Sequence, residues 1–451
     1  MQLPGMDARV GQVERRFGFA SAPRRASSRT SGRLWFLPLA ILLVAMRSAA
    51  AEDLSALKAQ LVQDGVTPSL QYNGDAFGDL AGGNRRGITG TGNLHVQLGV
   101  DGGQLLNVPG LSGFLDLLWI HGGQPSKLAG DAQGVSNLAA PAAVRLYEAW
   151  LEYNFPGNRF SVLAGRYDLN TEFYHLDSAS LFLNSSFGIG PEFGQSGFAG
   201  PSIFPDTSLG ARFAFKPAPN IVWRTAVLDG TPLNPQNGSP DPFNAGSGVL
   251  VVSELEILTF PNNGDAAAAA EFHIGRNANL PPYDGKIAVG AWYYTARFND
   301  LSAVNADGNP VSRRGSDGAY VILDHTLLRG ADASTQRLAG FLQLGAADQQ
   351  VNRFGVYIGA GLVATGALPG RPDDQLGIAA AMARNGSHFL AGQLAAGQPV
   401  DATETAIELS YQSQVTSWLT VQPDLQYVLH PNTNPRVRNT TVVQLELEMK
   451  F

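Results

Sequence analysis

The last nine residues of the chain alternate between apolar and polar side chains without interruption. The apolar set is Val443, Leu445, Leu447, Met449 and Phe451, and the polar set is Gln444, Glu446, Glu448 and Lys450. A helix would spread both sets around its axis, whereas a strand separates them onto two faces. The pattern therefore predicts a β-strand with one apolar and one polar face.

Segments with the same period recur along most of the chain. Residues 66–73, 93–100 and 419–429 alternate as clearly as the last segment. Further candidate strands are 112–120, 144–155, 159–168, 207–216, 221–229, 249–258, 267–276, 286–297, 317–325, 337–345, 353–363, 374–384 and 404–413. The seventeen segments together predict an all-β fold. Several are longer than the roughly 5 to 6 residues that are usual for strands in globular proteins.

Strands of this length favour a transmembrane antiparallel β-barrel over residues 66–451. A barrel with both termini on one side of the membrane has an even number of strands. Seventeen candidates therefore leave about 16 or about 18 strands, and we expect 16. No segment after residue 51 reaches about 18 consecutive apolar residues, so the sequence predicts no membrane-spanning helix there.

The predicted connections alternate between short turns and long loops. Residues 156–158 and 262–264 contain Gly and Asn, which tolerate the positive φ of hairpin turns. Residues 169–206 and 230–248 are long and rich in Gly, Pro, Asn and Ser. Short turns at one end and long loops at the other are typical of outer-membrane barrels. The alternative is a secreted, soluble all-β protein that acts in binding or adhesion.

The N-terminal region has a different composition. Residues 1–51 contain eight Arg and two acidic residues, an apolar run at 34–46, and Ala at 49–51. This order predicts a signal peptide over 1–51, because the apolar run is shorter than the roughly 20 residues of a permanent anchor. Apolar residues at helical spacing then predict a short periplasmic helix over 52–65. They are Leu54, Leu57, Leu61 and Val62.

Composition and motifs exclude several functional classes. The chain has no Cys, which excludes disulfides, thiolate metal sites and a cysteine nucleophile. Its formal charge of −7 gives no indication of nucleic-acid binding. The seven His residues lack the His-Glu-x-x-His spacing of zinc enzymes, and no convincing nucleophile elbow or Walker motif occurs. We therefore expect no enzymatic activity, no metal site and no cofactor.

A series of short stretches resembles one protein family. They are 57–72, 145–152, 164–168, 182–188, 200–212, 404–411 and 422–431. Their sequences include Arg-Leu-Tyr-Glu-Ala-Trp-Leu-Glu at 145–152 and Glu-Thr-Ala-Ile-Glu-Leu-Ser-Tyr at 404–411. In this order, over nearly all of residues 53–451, they resemble the bacterial carbohydrate-selective porins of the outer membrane, the OprB type.

The resemblance implies a barrel of about 16 strands whose pore is narrowed by inward-folded loops. It implies passive entry of sugars into the periplasm, contact with outer-membrane lipid and lipopolysaccharide, and a monomer or homotrimer. It also implies that the final aromatic residue, Phe451, is recognised by the barrel-assembly machinery.

Polar residues on the inward parity of the strands are the candidate sugar contacts. Carboxylates accept hydrogen bonds from sugar hydroxyls, Arg donates them, and aromatic rings pack on pyranose faces. In segment 144–155, one parity carries the polar candidates and the other carries Tyr147 and Leu151. The candidates are Glu148, Trp150, Glu152, Arg166, Asp168, Arg212 and Arg224. The alternative is that they are ordinary solvated residues of a polar barrel interior.

Overall fold

Alternating strands form the wall of a closed barrel in the computed structural model of the chain. The structure describes residues 49–232, 243, 246–260, 283–330 and 336–451, with side chains from residue 56 onward. Residues 57–451 form one compact unit. The described part of residues 1–56 is the beginning of a helix.

Sixteen antiparallel strands make up the wall, and each pairs with its neighbours in sequence. They are β1 Val66–Gly83, β2 Gly87–Asp101, β3 Leu111–Gly122, β4 Ala143–Asn154, β5 Phe160–Tyr167, β6 Ser208–Ala218, β7 Ile221–Asp229, β8 Val249–Thr259, β9 Gly285–Val304, β10 Pro310–Arg329, β11 Arg337–Ala347, β12 Phe354–Thr365, β13 Gln375–Asn385, β14 Thr403–Thr416, β15 Leu419–Leu429 and β16 Arg438–Lys450. The first and last strands pair with each other and close the barrel.

The predicted barrel of sixteen strands is confirmed. The seventeenth candidate, 267–276, and the predicted turn 262–264 lie outside the described residues. The wall closes without them, because β8 pairs directly with β9. Each of the other sixteen candidates overlaps one observed strand.

In the part of the chain that the structure describes, helices are few and mostly short. They are α1 Ala49–Gln63, α2 Gly102–Leu106, α3 Ser126–Ala129, α4 Pro191–Gly194 and α5 Ser387–Ala395. The predicted helix over 52–65 is present as α1, which starts three residues earlier. Single 3₁₀ turns occur at Leu169–Thr171, Ala179–Leu181, Ser185–Phe187 and Pro431–Thr433. Among the described residues, no helix is long and apolar enough to cross a membrane.

The two ends of the barrel differ in several of their connections. We call the end of the barrel where β1 begins and β16 ends the terminal end. It has the tight turn that includes Gly157 at φ 86° and Asn158 at φ 53°. The opposite end, called the loop end, has the long connections after β3 and β5. We name these connections L2 (residues 123–142) and L3 (residues 168–207).

The two faces of the strands also follow the predicted parities. In β15 the odd-numbered Leu425 is 43% exposed and points outward, whereas Gln426 is fully buried inside. In β16 Leu445 is 42% exposed and Gln444 is 4% exposed. Large apolar side chains thus cover the outer surface, as lipid contact requires.

One predicted parity is wrong. Tyr147 was expected on the outer face of β4, but a β-bulge between the pairs Asp116–Glu148 and Leu117–Leu146 leaves Tyr147 as an extra residue. The bulge turns Tyr147 inward, where it is 7% exposed and its hydroxyl donates to Asp168. An inserted residue shifts the alternation by one position, so period-two reasoning fails locally.

Some strands are longer than predicted. β1 continues through Gly83, ten residues beyond the predicted end of the first segment. Its inner face carries Asp75, Phe77 and Asp79, but its outer face is formed by Gly74, Ala76 and Gly78 before Leu80. Small outward residues weaken the hydrophobic alternation on which the prediction depended.

Candidate pore constriction

L3 folds into the barrel and lies against the inner faces of β6–β13, which we call the covered wall. Wall carboxylates accept hydrogen bonds from its backbone amides. Glu254 Oε2 accepts from the Tyr174 N–H at 2.8 Å, and Asp324 Oδ2 accepts from the Ser178 N–H at 2.8 Å. Such charge-assisted bonds are stronger than neutral ones, so they fix the path of the loop.

Beyond the covered wall, L3 also reaches β14 and β15. Glu408 accepts from the N–H groups of Leu183 and Asn184, and the Asn184 side chain donates to Gln426 Oε1 at 3.1 Å. The loop therefore crosses the interior from one side of the barrel to the other.

A network of buried ion pairs joins L3 to β4 and to β6–β9. Arg212 is fully buried and donates to Glu152 at 2.5 Å, to Glu172 of L3 at 3.0 Å and to the Ser161 hydroxyl at 2.7 Å. Arg224 Nε lies 3.7 Å from the other Glu172 oxygen. Glu172 is thus inserted between two wall arginines.

The same network continues to β8 and β9 and is electrically balanced. Glu256 accepts from Arg224 Nη1 and from Lys286 Nζ, both at 2.9 Å. Three cations (Arg212, Arg224 and Lys286) therefore face three carboxylates (Glu152, Glu172 and Glu256). Complete pairing is what makes burial of so many charges tolerable.

Aromatic side chains fill the space between L3 and the covered wall. Phe193 of α4 stacks on Trp292 with ring centroids 4.2 Å apart, and Tyr174 packs on Tyr320 at 4.4 Å. Phe182 and Phe187 form a second group with Phe341. This part of the interior is therefore an apolar core rather than a water-filled lumen.

Glu192 is a buried carboxylate inside that core. It is 1% exposed, and its Oε1 accepts from the Tyr174 hydroxyl at 2.9 Å. Burial raises the pKa of Glu192 to about 7, and hydrogen bonds from its own and the next backbone N–H and from Tyr174 only partly offset this effect. The side chain therefore titrates near neutral pH.

L2 also folds inward, against β14–β16 and β1. Glu404 accepts from the backbone N–H groups of Ala132 and Gln133 at 2.9 Å. The Val135 carbonyl accepts from the side-chain amides of Gln426 and Gln444 at 2.9 and 2.8 Å. Val135 and Leu128 of L2 pack in a small apolar cluster with residues of the wall.

The two inward loops are bonded to each other. The Asn137 N–H donates to the Leu183 carbonyl at 2.8 Å, and the Ser185 N–H donates to the Gly134 carbonyl at 2.7 Å. Gln195 adds a side-chain bond to the Ala132 carbonyl at 2.7 Å. L2 and L3 therefore form one joined constriction.

A polar strip remains accessible on the inner face near the terminal end. Six of its members are half-buried, and Asp116 is buried beside them. We call these residues the open wall: Gln71, Asn73, His95, Gln97, Phe114, Asp116 and Glu448. Asp116 accepts from Gln97 at 2.9 Å and lies 2.8 Å from His95 Nδ1, and Gln71 donates to Glu448 at 2.8 Å. The strip offers donors and acceptors side by side.

The predicted site residues occupy three positions. Glu152, Arg212 and Arg224 belong to the ion-pair network described above. Trp150 is 4% exposed and stacks on Phe114 at 5.5 Å. Glu148 accepts from the Asp168 N–H at 2.7 Å, and Asp168 caps the first 3₁₀ turn of L3.

Arg166 is the exception among the seven. It lies on the outward parity of β5 with Phe160 and Val162, the opposite side from Glu152, so its predicted place on the pore wall is wrong. Its guanidinium donates to the backbone carbonyl of Leu146 on β4 at 3.0 Å and to that of Thr207, the last residue of L3, at 3.1 Å.

Sequence reasoning missed the residues that hold the loops. Glu254, Asp324, Glu404 and Glu408 bind loop amides, but the alternation of the strands does not distinguish them from other polar residues. Glu172 and Glu192 lie in a loop, where no periodicity identifies them. An available signal was the presence of acids on inner faces that are otherwise apolar, as in β8, where Glu254 follows Leu250 and Val252.

Comparisons with known proteins agree with this architecture. Residues 85–451 match the family described as "Carbohydrate-selective porin, OprB family". Porin B of Pseudomonas aeruginosa is 23% identical over 432 residues, which cover 88% of this chain and 90% of that protein.

Solved structures show the same fold. The high-pH structure of Pseudomonas putida OprB matches with a TM-score of 0.74 at 20% identity, and the match covers 88% of this chain and 97% of that one. The low-pH structure of the same protein matches with a TM-score of 0.54 at 16% identity and the same coverage.

The family match covers most of the chain and favours a porin over a secreted soluble protein. Porins are channels rather than enzymes, and their barrels lie in the bacterial outer membrane. The chain belongs to the OprB family of carbohydrate-selective porins, outer-membrane channels through which sugars diffuse passively.

Proposed function

We propose that sugars pass along the open wall and that the buried arginines position L3 instead of contacting sugar. The observation that carries this proposal is the difference in exposure. Arg212 is 0% exposed and Arg224 is 5% exposed, whereas Gln71, His95 and Gln97 are half-buried on the inward parity. A sugar hydroxyl reaches only side chains that have accessible surface.

The open wall has the chemistry that sugar passage needs. The amides of Gln71 and Gln97 both donate and accept, and the half-buried carboxylate of Glu448 accepts. Phe114 supplies a half-buried aromatic ring for the apolar face of a pyranose. Conduction requires binding that is weak enough to release the substrate, and several single hydrogen bonds provide this better than one closed pocket.

Blockade of ion current by sugars in planar bilayers tests the proposal. Replacing both Gln71 and Gln97 by Ala should weaken sugar blockade by about fivefold for each bond lost, since one net hydrogen bond is worth about 1 kcal/mol. The control is Thr441→Ala on the outward face of β16. Unchanged blockade in the double variant would refute the route along the open wall.

We also propose that the ends of the chain serve export and assembly. Residues 1–51 would act as the signal peptide and 52–65 as a periplasmic helix, and N-terminal sequencing of the mature protein tests the cleavage position. The barrel would then contact lipid and lipopolysaccharide through its apolar outer face.

Phe451 is the proposed contact of the barrel-assembly machinery. Its backbone forms two bonds with Leu70, at 2.9 and 3.2 Å, and its exposed ring stacks on Trp418 at 6.0 Å. Phe451→Ala keeps the backbone bonds. It should reduce the folded band in cells without lowering the folding yield of purified protein in detergent, and equal losses in both assays would indicate a purely structural role.

A further inference from the structure

An open cavity of about 230 Å³ lies at the loop end of the barrel, between three connections. They are the turn before β12, the connection of residues 386–402 that contains α5, and the connection of residues 430–437. The side chains that decide its chemistry are Arg353, Phe389, Gln393, Gln398, Asn432 and Arg436. The long loops of such barrels are extracellular, so a solute that enters from outside meets this cavity early.

Arg353 is held in one position by contacts with the other two connections. Its guanidinium carbon lies 4.6 Å from the ring centroid of Phe354 and 5.0 Å from that of Phe389 in α5. Its Nη2 donates to the Asn432 carbonyl at 2.9 Å and to the Thr433 hydroxyl at 3.2 Å. A planar guanidinium that is stacked and hydrogen-bonded in this way loses little further freedom when it binds a ligand.

The cavity has two positive charges and no acidic side chain in its lining. Among the described residues, no carboxylate forms an ion pair with Arg353 or Arg436, and no Asp or Glu lines the cavity. Glu404 lies nearby, but its oxygens accept from backbone N–H groups of L2 and of Asn432. Arg353 Nη1 donates to no described residue, so one edge of the guanidinium can bind an anion.

The connection of residues 430–437 has a backbone that its surroundings must support. His430, Asn432 and Thr433 have positive φ angles of 52°, 53° and 53°. This conformation is uncommon outside Gly and is an outlier for a β-branched residue such as Thr. Strained residues of this kind cluster at ligand clamps and active sites. Here the strained turn presents its acceptors to Arg353 and thereby fixes the guanidinium.

The remaining groups in the cavity suit a sugar ring. The amides of Gln393 and Gln398 donate and accept hydrogen bonds, and Phe389 supplies a half-buried ring for a pyranose face. The cavity is smaller than the roughly 300–1,000 Å³ of sites for drug-sized ligands, so it suits a single monosaccharide. We propose that this cavity, the mouth site, binds a monosaccharide that carries a carboxylate. The carboxylate lies on Arg353 and Arg436, and the ring packs on Phe389.

The mouth site lies beside the constriction, because Glu404 bonds both to Asn432 of the cavity wall and to L2. Weak binding there concentrates an acidic sugar next to the pore and still allows its release. Its later passage rests on the proposed function, since the sugar would then follow the open wall. Capture at the mouth site is a separate binding event and is tested separately.

Saturation-transfer NMR on the purified porin in deuterated detergent measures binding without requiring conduction. D-Glucuronate should bind more tightly than D-glucose, because only the glucuronate carboxylate can pair with the arginines. Added KCl should weaken glucuronate binding by screening this attraction. Saturation should be strongest at the ring C–H protons that face Phe389.

Arg353→Gln should weaken glucuronate binding by more than about tenfold, as expected for loss of hydrogen bonds to a charged group. Arg436→Gln should weaken it by about two- to fivefold, because Arg436 is exposed. Arg436 has no described side-chain partner, so this variant leaves the loops intact even if Arg353→Gln disturbs them. The matched control is Arg314→Gln, which removes an exposed arginine on the outer side of β10 and should leave binding unchanged.

The aromatic contact is tested by a pair of variants. Phe389→Leu should weaken the binding of glucuronate and reduce saturation of its ring protons. Phe389→Tyr keeps an aromatic face and should retain both. Equal losses in the two variants would overturn the placement of the sugar ring on Phe389.

Other results would overturn the mouth site as a whole. They are equal affinity for glucuronate and glucose, or unchanged affinity in both arginine variants. Displacement of glucuronate by acetate or inorganic phosphate at equal or lower concentration would indicate a simple anion site. The Gln71→Ala, Gln97→Ala double variant should bind glucuronate as the wild type does, even where it loses sugar blockade. Loss of binding in that variant would instead place glucuronate on the open wall.

Discussion

The covered wall and the open wall belong to one barrel, but their inner faces have different compositions. The inner face of β7–β13 is rich in apolar and small residues such as Ala226, Val252 and Ile322, because L3 packs on it. The inner face of β1–β3 and β16 carries amides, acids and His95 where no loop covers it. The composition of the inward-facing residues of a strand therefore indicates whether that strand packs against a loop or faces water.

The same comparison separates two uses of charge. On the covered wall, Arg212 and Arg224 are paired with Glu152, Glu172 and Glu256, and Glu254 and Asp324 accept from loop amides, so that charge holds L3 in place. On the open wall, the half-buried Glu448 is bonded to the Gln71 amide and to Lys450, and the buried Asp116 is bonded to Gln97 and His95. On the proposed sugar route, a charged residue on the inward parity is expected to contact sugar only where no loop covers it.

The largest expected effect comes from breaking the ion-pair network of the covered wall. Arg212→Met leaves Glu152 and Glu172 buried without their main partner and should cost about 3–5 kcal/mol of unfolding free energy. Single-channel conductance should rise, because L3 is no longer held. Denaturant unfolding in lipid vesicles measures the first effect, and bilayer recordings measure the second.

A second substitution tests the charge argument for that network. Adding Glu152→Gln to Arg212→Met removes one of the two uncompensated charges and should restore part of the stability. Additive losses in the double variant would show that side-chain packing, rather than charge, accounts for the role of Arg212.

The next prediction compares the outer and inner faces of β2 at the same depth in the membrane. Val96 is 44% exposed on the outer face of β2, and Gln97 beside it faces inward next to Asp116. Val96→Arg should cost about 2–4 kcal/mol if it lies near the bilayer midplane, while Gln97→Arg should be tolerated because it can pair with Asp116. Similar losses for both would contradict the assignment of faces.

A pH effect of comparable or smaller size should come from Glu192 in L3. Its pKa of about 7 exceeds the ordinary value of 4.5, so the folded state holds the proton more tightly than the unfolded state. Stability is therefore full below about pH 4.5, falls as pH rises to about 7, and is level above that, with a total loss of up to about 3 kcal/mol.

Glu192→Gln should remove this part of the pH dependence and keep the hydrogen bond from Tyr174. Unfolding in detergent at pH 5 and pH 8 provides the measurement. If the variant keeps the same difference between the two pH values as the wild type, another group is responsible.

The sequence predicted the barrel well because strand faces obey a strict period. It located all sixteen strands of the wall and, for most of their residues, the side that faces inward. It also placed Arg212 and Arg224 on the inward side. It could not show that a loop covers those arginines, since residues 168–207 have no periodicity and their path depends on contacts more than a hundred residues away, such as Ser178 with Asp324. The alternation of apolar and polar residues also does not reveal a β-bulge such as the one at Tyr147.

The smallest expected effect concerns Phe114, at the boundary between the two walls. Its half-buried ring faces inward and stacks on Trp150, which belongs to the core under L3. Phe114→Leu keeps an apolar contact with Trp150 but removes the aromatic face, so sugar blockade of ion current should weaken by about two- to tenfold, equivalent to about 0.5–1.5 kcal/mol. Ion conductance without sugar should stay the same. The matched control, Phe213→Leu on the outer face of β6, should change neither quantity. If Phe114→Leu leaves sugar blockade at the wild-type value, the ring belongs only to the core, and the open wall acts through hydrogen bonds alone.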